Sequence, residues 1–211
     1  MTSLTTLLTL ADSRLPTGGH VHSGGVEEAV TSGLLTDLST LRAYLVRRIR
    51  SHGLVAASVA VAVHDGTLTP RDADAEIDAR TPSPASRDAS RAQGRGLVRL
   101  ARRVWPDGPW DALGTRPHLA VAAGAVGAAS GLDPLQTALS VVYTTMTGSA
   151  TAAQRLLALD PGDVAAVTFE LATLCDTVAE EATTGLADLS DPLLDVMAER
   201  HTQRDRPLFV S

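Results

Sequence analysis

Apolar residues recur at three- and four-residue intervals along nearly the whole chain, the period of an α-helix rather than the alternation of a strand. Leu4, Leu7, Leu8 and Ala11 keep that period at the start. A turn-rich stretch from Asp12 to Gly25 follows, with Pro16 and the pairs Gly18-Gly19 and Gly24-Gly25. Val26, Ala29 and Val30 predict a short helix that ends near Gly33. Asp37 is placed to cap a third helix with Leu38, Leu41, Leu45 and Ile49 on one face, and Gly53 is expected to separate it from an Ala/Val helix ending near His64. Val59 to Val63 is β-prone locally, but its alanines and length favour a buried helix. Arg71 to Arg80 reads as a short polar helix, and Pro84 to about Val104 as a longer one. Trp105 to Pro117 holds three prolines and two glycines and reads as a loop.

Three Asp-Pro pairs punctuate the second half, at Asp133-Pro134, Asp160-Pro161 and Asp191-Pro192. Proline fits the first helical turn, where its missing N–H costs nothing. Helices are therefore predicted over Pro117 to Ser130, onward from Pro134, over Val164 to Thr184, and from Pro192 to about Gln203. No strand alternation, repeat or linker interrupts the pattern, which predicts one all-α domain, a multi-helix orthogonal bundle over residues 1–211 with a mobile tail at 204–211.

Composition narrows the function classes. Hydrophobic residues make up 44% of 211 residues and aromatics only 3%, so the core is Leu, Val and Ala, which bury little area each and call for close backbone approach. The net charge of −6 argues against a general nucleic-acid or acidic-membrane binder. All eighteen basic residues are arginine. Without lysine there is no P-loop lysine, Schiff-base lysine or Ser-Lys dyad. Cys175 has no partner for a disulfide within the chain, which fits a reducing compartment. No signal peptide is visible, and no apolar window reaches the ~20 residues that span a bilayer. The expectation is a soluble, cytoplasmic protein.

Several constellations could carry chemistry. His20 and His22 form an H-x-H pair able to ligate a metal, with no third ligand nearby in sequence. Ser23 nearly fits a nucleophile elbow, but position 21 is valine and no strand precedes it. Arg87, Arg91, Arg95, Arg99 and Arg103 lie four apart, one drifting stripe on a helix, whose repulsion the acidic residues of the preceding helix could offset. The stripe is open to three uses: a solvated face, a protein interface or a nucleic-acid surface. Gly124, Gly127 and Gly131 let helices approach closely, for internal packing ahead of a dimer seam. Leu208 and Phe209, apolar residues at a chain end, either dock internally or order on a partner.

The segment Leu10, Asp12, Ser13, Leu15, Pro16, Gly18, His22, Ser23, Gly25, Val26, Glu27 resembles the N-terminal pattern of the UreF family of urease accessory proteins. Asp78-Ala-Arg80-Thr with Arg87, Ser90, Gln93 and Gly94 resembles its middle segment. His118, Gly124, Gly131 and Gln154-Arg-Leu-Leu157 resemble its later helices, and Leu208-Phe209-Val210-Ser211 its ending. The chain departs from the family at Met146 to Gln154, which lacks the usual Arg and Pro, and at Val210, where relatives carry arginine. His20 stands where relatives commonly have an aromatic, so the H-x-H pair is no family motif.

The resemblance implies an all-α, dimeric adaptor that binds the UreD (UreH) scaffold and recruits the GTPase UreG. The complex docks on apo-urease and couples GTP hydrolysis to nickel insertion. It implies no catalytic residues and no stably bound cofactor, the nickel being handled by the complex, and no nucleic-acid or membrane partner. Asp12, Pro16, Gly18, His22, Ser23, Gly25, Glu27, Arg87, Arg91, Arg95, Leu208 and Phe209 become the candidate partner-binding residues. One of Arg87, Arg91 or Arg95 is a candidate to approach the GTPase as an arginine finger. The alternatives are a direct nickel-binding protein using His20 and His22, and a helical nucleic-acid binder using Arg87 to Arg103.

Overall fold

The computed structural model describes residues 4–205 and 207–209, and the backbone but not the side chain of His20. Among these residues there is no strand. The helices run α1 (Leu4–Leu10), α2 (Val26–Thr31), α3 (Leu38–Arg48), α4 (Leu54–His64), α5 (Pro70–Arg80), α6 (Pro84–Val104), α7 (Leu119–Ala129), α8 (Pro134–Leu157), α9 (Pro161–Glu170), α10 (Ala172–Ala182) and α11 (Pro192–Thr202). The all-α expectation holds.

Most starts are set by short polar caps. Asp37 accepts the Thr40 N–H while Thr40 Oγ1 takes the Asp37 N–H, a reciprocal box that fixes the head of α3. Thr69, Ser83, Asp133, Asp160 and Asp191 each cap a helix whose first residue is proline. Every Asp-Pro pair therefore does what its chemistry predicts.

Two expectations need correction. Gly53 does not separate α3 from α4; the chain passes through one π turn, Ile49–Gly53, and stays helical. Gly53 tolerates this because it is buried with a helical backbone, φ −60°, and needs no left-handed turn. The helix predicted over Val164 to Thr184 is two, broken at Leu171, whose buried side chain turns into the core between α9 and α10. The helix expected at the start of the chain is present as α1, which buries none of its residues and leaves Leu4 and Leu8 exposed.

The core is centred on α4. Leu54 through Ala62 are all buried, so this helix is apolar on every side and must be surrounded. It packs most closely against α7 and α8, and also against α10 and α5. Small residues make those crossings possible. A Cβ on Gly124 would collide with the Ala60 carbonyl of α4, and one on Gly127 with the Thr137 side chain of α8. The glycine stripe of α7 thus serves internal packing.

A second set of contacts ties α5, α6 and α7 together. His118, fully buried, places Nε2 3.0 Å from Asp78 Oδ1 and Nδ1 3.0 Å from Ser90 Oγ. Its N–H donates to Asp74 at 2.8 Å. Arg91 pairs with both aspartates and donates to the Arg116 carbonyl at 2.6 Å. Burial and the Arg91 charge push the His118 imidazole below its ordinary value, though Asp78 pulls the other way.

The glycines separate packing from propensity. Gly124→Ala is expected to cost about 2 kcal/mol through overpacking at α4. Gly148→Ala, in α8 with nothing near its would-be Cβ, is expected to gain about 0.5 kcal/mol from helix propensity. Urea denaturation of both variants checks this, and equal effects would contradict the packing account.

Candidate functional site

The residues singled out by the N-terminal pattern fold into one small unit in front of α2. Asp12 receives the Arg14 side chain in a two-pronged pair, with Nη2 2.6 Å from Oδ2, and accepts the Arg14 N–H at 2.8 Å. These bonds lower its carboxyl to about 2. The segment then presses on α6, where a Cβ on Gly96 would collide with the Thr17 carbonyl. Gly18 takes φ 83°, a left-handed turn that opens the 3-10 turn Gly19–Val21, and Pro16 lies exposed beside it. His22 is half-buried and leaves that turn in extended conformation.

Ser23, buried, accepts the Glu27 N–H at 3.3 Å and so helps start α2. Gly24 and Gly25 follow with φ 64° and 87°, and the Gly24 carbonyl accepts the Tyr44 hydroxyl at 2.7 Å. A Cβ on Gly25 would sit 2.9 Å from that same hydroxyl, so the second glycine is needed for space as well as for its backbone angle.

Glu27 is the junction. Its carboxylate is 4% exposed and accepts from His201 Nε2 at 2.9 Å, from the Leu208 N–H at 2.8 Å and from the Phe209 N–H at 3.0 Å. Next to it Glu28 pairs with Arg204 at 3.0 Å. Burial alone would raise the Glu27 carboxyl, but the two N–H groups and His201 outweigh it and hold the carboxyl below its ordinary value. An ionised carboxylate only accepts, so His201 Nε2 carries the hydrogen. The N-terminal pattern and the chain ending are therefore two halves of one contact.

The tail expected to be mobile is docked at its described residues. Phe209 is 6% exposed, and Arg155 stands 5.3 Å over its ring. Leu208 is turned the other way and is 79% exposed. The pair read together in the sequence has divided roles, one residue anchoring and one facing out. Val210 and Ser211 lie outside the described residues, as does the His20 side chain of the H-x-H pair. Among the described residues no group of three His, Cys, Asp or Glu side chains comes together as a metal site.

The arginine stripe also divides. Arg91 is spent inside the fold on Asp74 and Asp78. Arg87 stands 3.8 Å from Asp78 and donates to the Thr81 carbonyl at 3.3 Å. The acidic residues of α5 thus do offset the charge at this end. Arg95, Arg99 and Arg103 are exposed. Cys175 is buried beside Met146, its Sγ 3.6 Å from the Met Sδ, and burial pushes the thiol up to about 11, the state of a packed, unreactive cysteine.

Residues that sequence reasoning missed are His201, Arg204 and Glu28. Glu27 gave one signal, since it adjoins the apolar Val26 on a helix too short to turn every charge outward. Nothing in the sequence said which residue, 174 positions on, would meet it.

Glu27→Gln is expected to lower stability by about 2 kcal/mol at pH 7, the usual loss for a buried charge-assisted cluster. Amide exchange at Leu208 and Phe209 should accelerate at least tenfold; unchanged exchange there would overturn the clamp. Because the folded carboxyl lies below its unfolded value, its contribution is present above about pH 4.5 and is lost as pH falls through the lowered value. The acid limb of a stability profile should therefore flatten in Glu27→Gln.

Comparison with known proteins follows the same lines. The UreF family model matches residues 35–172. A protein of Mycobacterium sp. (strain JLS) named urease accessory protein UreF is 76% identical over 211 residues, covering all of both chains. The proteins of that name from Mycobacterium marinum (strain ATCC BAA-535 / M) and Mycobacterium tuberculosis (strain ATCC 25177 / H37Ra) are 72% and 69% identical, again over the whole of both chains. These full-length matches take in the Asp12 to Glu27 segment and the chain ending, both of which the family model leaves out. The chain belongs to the UreF family of urease accessory proteins.

Proposed function

We propose that this chain serves urease maturation in the cytoplasm as an adaptor. It joins the UreD (UreH) scaffold to the GTPase UreG, so that GTP hydrolysis is coupled to nickel insertion into apo-urease. Nickel is the cargo of that complex and no resident cofactor of this chain. The observation that carries the reading is the Glu27 clamp, which fixes the chain ending and holds Leu208 in the open. A large apolar side chain presented on a fixed backbone is the form of an interface anchor.

Other features agree with an adaptor. No helix among the described residues is long and apolar enough to cross a membrane. Large apolar side chains stand exposed at Tyr143 of α8 and Phe169 of α9, surface available to a second copy in a homodimer. The nucleic-acid alternative needs a continuous cationic face, and Arg87 and Arg91 are turned to the aspartates of α5 instead. The exposed remainder, Arg95 with Arg99 and Arg103, is the part of the stripe open to the GTPase.

Two experiments test this. Leu208→Asp is expected to leave stability unchanged to within about 0.5 kcal/mol. The same change should weaken scaffold binding by roughly tenfold or more. Equal affinity in a titration against purified scaffold would remove Leu208 from the interface. For the role itself, the urease operon is expressed in a urease-free host with and without this reading frame. Urease activity and nickel per active site should both collapse without it while apo-urease abundance stays level. Undiminished nickel would overturn the maturation role.

A further inference from the structure

The π turn between α3 and α4 sets up a feature that the adaptor reading does not use. The Leu54 N–H reaches back to the Ile49 carbonyl, five residues away, and widens the helix for one turn. Turns of this kind inside α-helices recur at functional sites. Arg48 and His52 flank it and, with His22, Ser51, Thr144 and Thr145, line a cavity of about 390 Å³ between the N-terminal segment and α8.

Arg48 is half-buried, and its guanidinium closes over Gly24, where a Cβ would lie 2.6 Å from Nη2 and 2.8 Å from Cζ. Its Nε is buried without a hydrogen-bond partner. No carboxylate of the described residues lies within 4.0 Å of it. Most other charges of the wall are paired, although among the described residues Arg155 has no carboxylate beside it and Asp195 no cation. Asp191 pairs with Arg47 at 2.5 Å and accepts from Ser51, Asp12 pairs with Arg14, and Asp195 accepts the Ser83 N–H. Arg80 bonds Glu76 and the Ala187 carbonyl. Arg48 is a positive charge of this wall with no carboxylate beside it among the described residues.

Among the described residues none is a hydrogen-bond partner of His52, an exposed residue on the cavity wall. Desolvation by the surrounding protein and the neighbouring Arg48 charge hold its imidazole below the ordinary value, so at neutral pH it is an uncharged ring with one N–H to donate. A sequestered guanidinium without a counter-charge is unfavourable. Its planar fork matches a carboxylate through two parallel hydrogen bonds.

We propose that this cavity is a binding site for a carboxylate monoanion, held by the Arg48 guanidinium with His52 as a second donor. The carboxylate is either a small free ion or the side chain of an acidic residue on another polypeptide. The test uses the full chain with ¹⁵N-labelled histidines at pH 7, acetate being added at constant ionic strength against chloride. The His52 ring resonances should shift saturably with acetate and not with chloride.

Arg48→Met should abolish the shift. Arg48→Lys, which keeps the charge but not the fork, should weaken binding by about tenfold. In a second arm a short peptide carrying one glutamate replaces acetate. Saturation by acetate identifies a free ligand, and saturation by the peptide alone identifies a carboxylate on another chain. Either supports the site. No saturable shift with either probe overturns it, as does an undiminished shift in Arg48→Met with unaltered circular dichroism.

Discussion

Glu27 carries a full charge into a place that water scarcely reaches, and the arrangement of both chain ends depends on how that charge is met. A carboxylate so placed is costly unless every acceptor position finds a donor. Here two backbone N–H groups of the tail and one imidazole supply them. The contact fixes α2, α11 and the chain ending in one step. It also imposes a direction on the tail: with the 208 and 209 N–H groups aimed inward, alternate side chains diverge, and Phe209 enters the core as Leu208 leaves it. A buried anchor and an exposed apolar side chain thus arise from one hydrogen-bonded turn.

The same logic recurs without lysine. Every cation is a guanidinium, planar and able to bridge two acceptors at once. Arg91 uses this to hold Asp74 and Asp78 of α5 against α6, and the two aspartates in turn hold His118 at the head of α7. Arg47 does the same for Asp191, drawing the start of α11 onto α3. These bridges join helices distant in sequence, and they explain why the arginine ladder is uneven. Its first members face acids on α5, while α5 ends before it can reach Arg95 and beyond.

What the sequence made legible was local. Helix starts were readable because an Asp or Ser followed by proline encodes a helix head in two residues, and α6, α8 and α11 begin where that chemistry places them. The Gly124 and Gly127 crossings were readable as close packing because only missing side chains permit it. Continuity through Gly53 was not, because a glycine that ends a helix and one that carries it onward look alike in sequence. The break at Leu171 was hidden for a related reason, since leucine favours helix and only its burial between α9 and α10 turns the chain. At the candidate site the sequence marked Glu27 and Leu208 separately. Their contact is long-range and therefore carries no local signature.

Scarcity of aromatic residues gives their placement weight. Each large ring can bury 150–250 Å², roughly the most that any side chain can contribute to a core. A fold built from Ala, Val and Leu has most to gain by taking every ring inside, and it does so with Trp110, Tyr44 and Phe209. Yet Phe169 is 81% exposed at the end of α9, and Tyr143 faces outward from α8. Nothing in the helix geometry forces either position outward; α9 turns Val164 and Val167 toward the core and could have turned a ring there too. Forgoing that burial lowers the stability of the isolated chain, and it is compensated where a second surface covers the rings. A chain whose core is made of small side chains thus holds two of its few large ones outside on fixed helices, the feature on which the adaptor proposal draws.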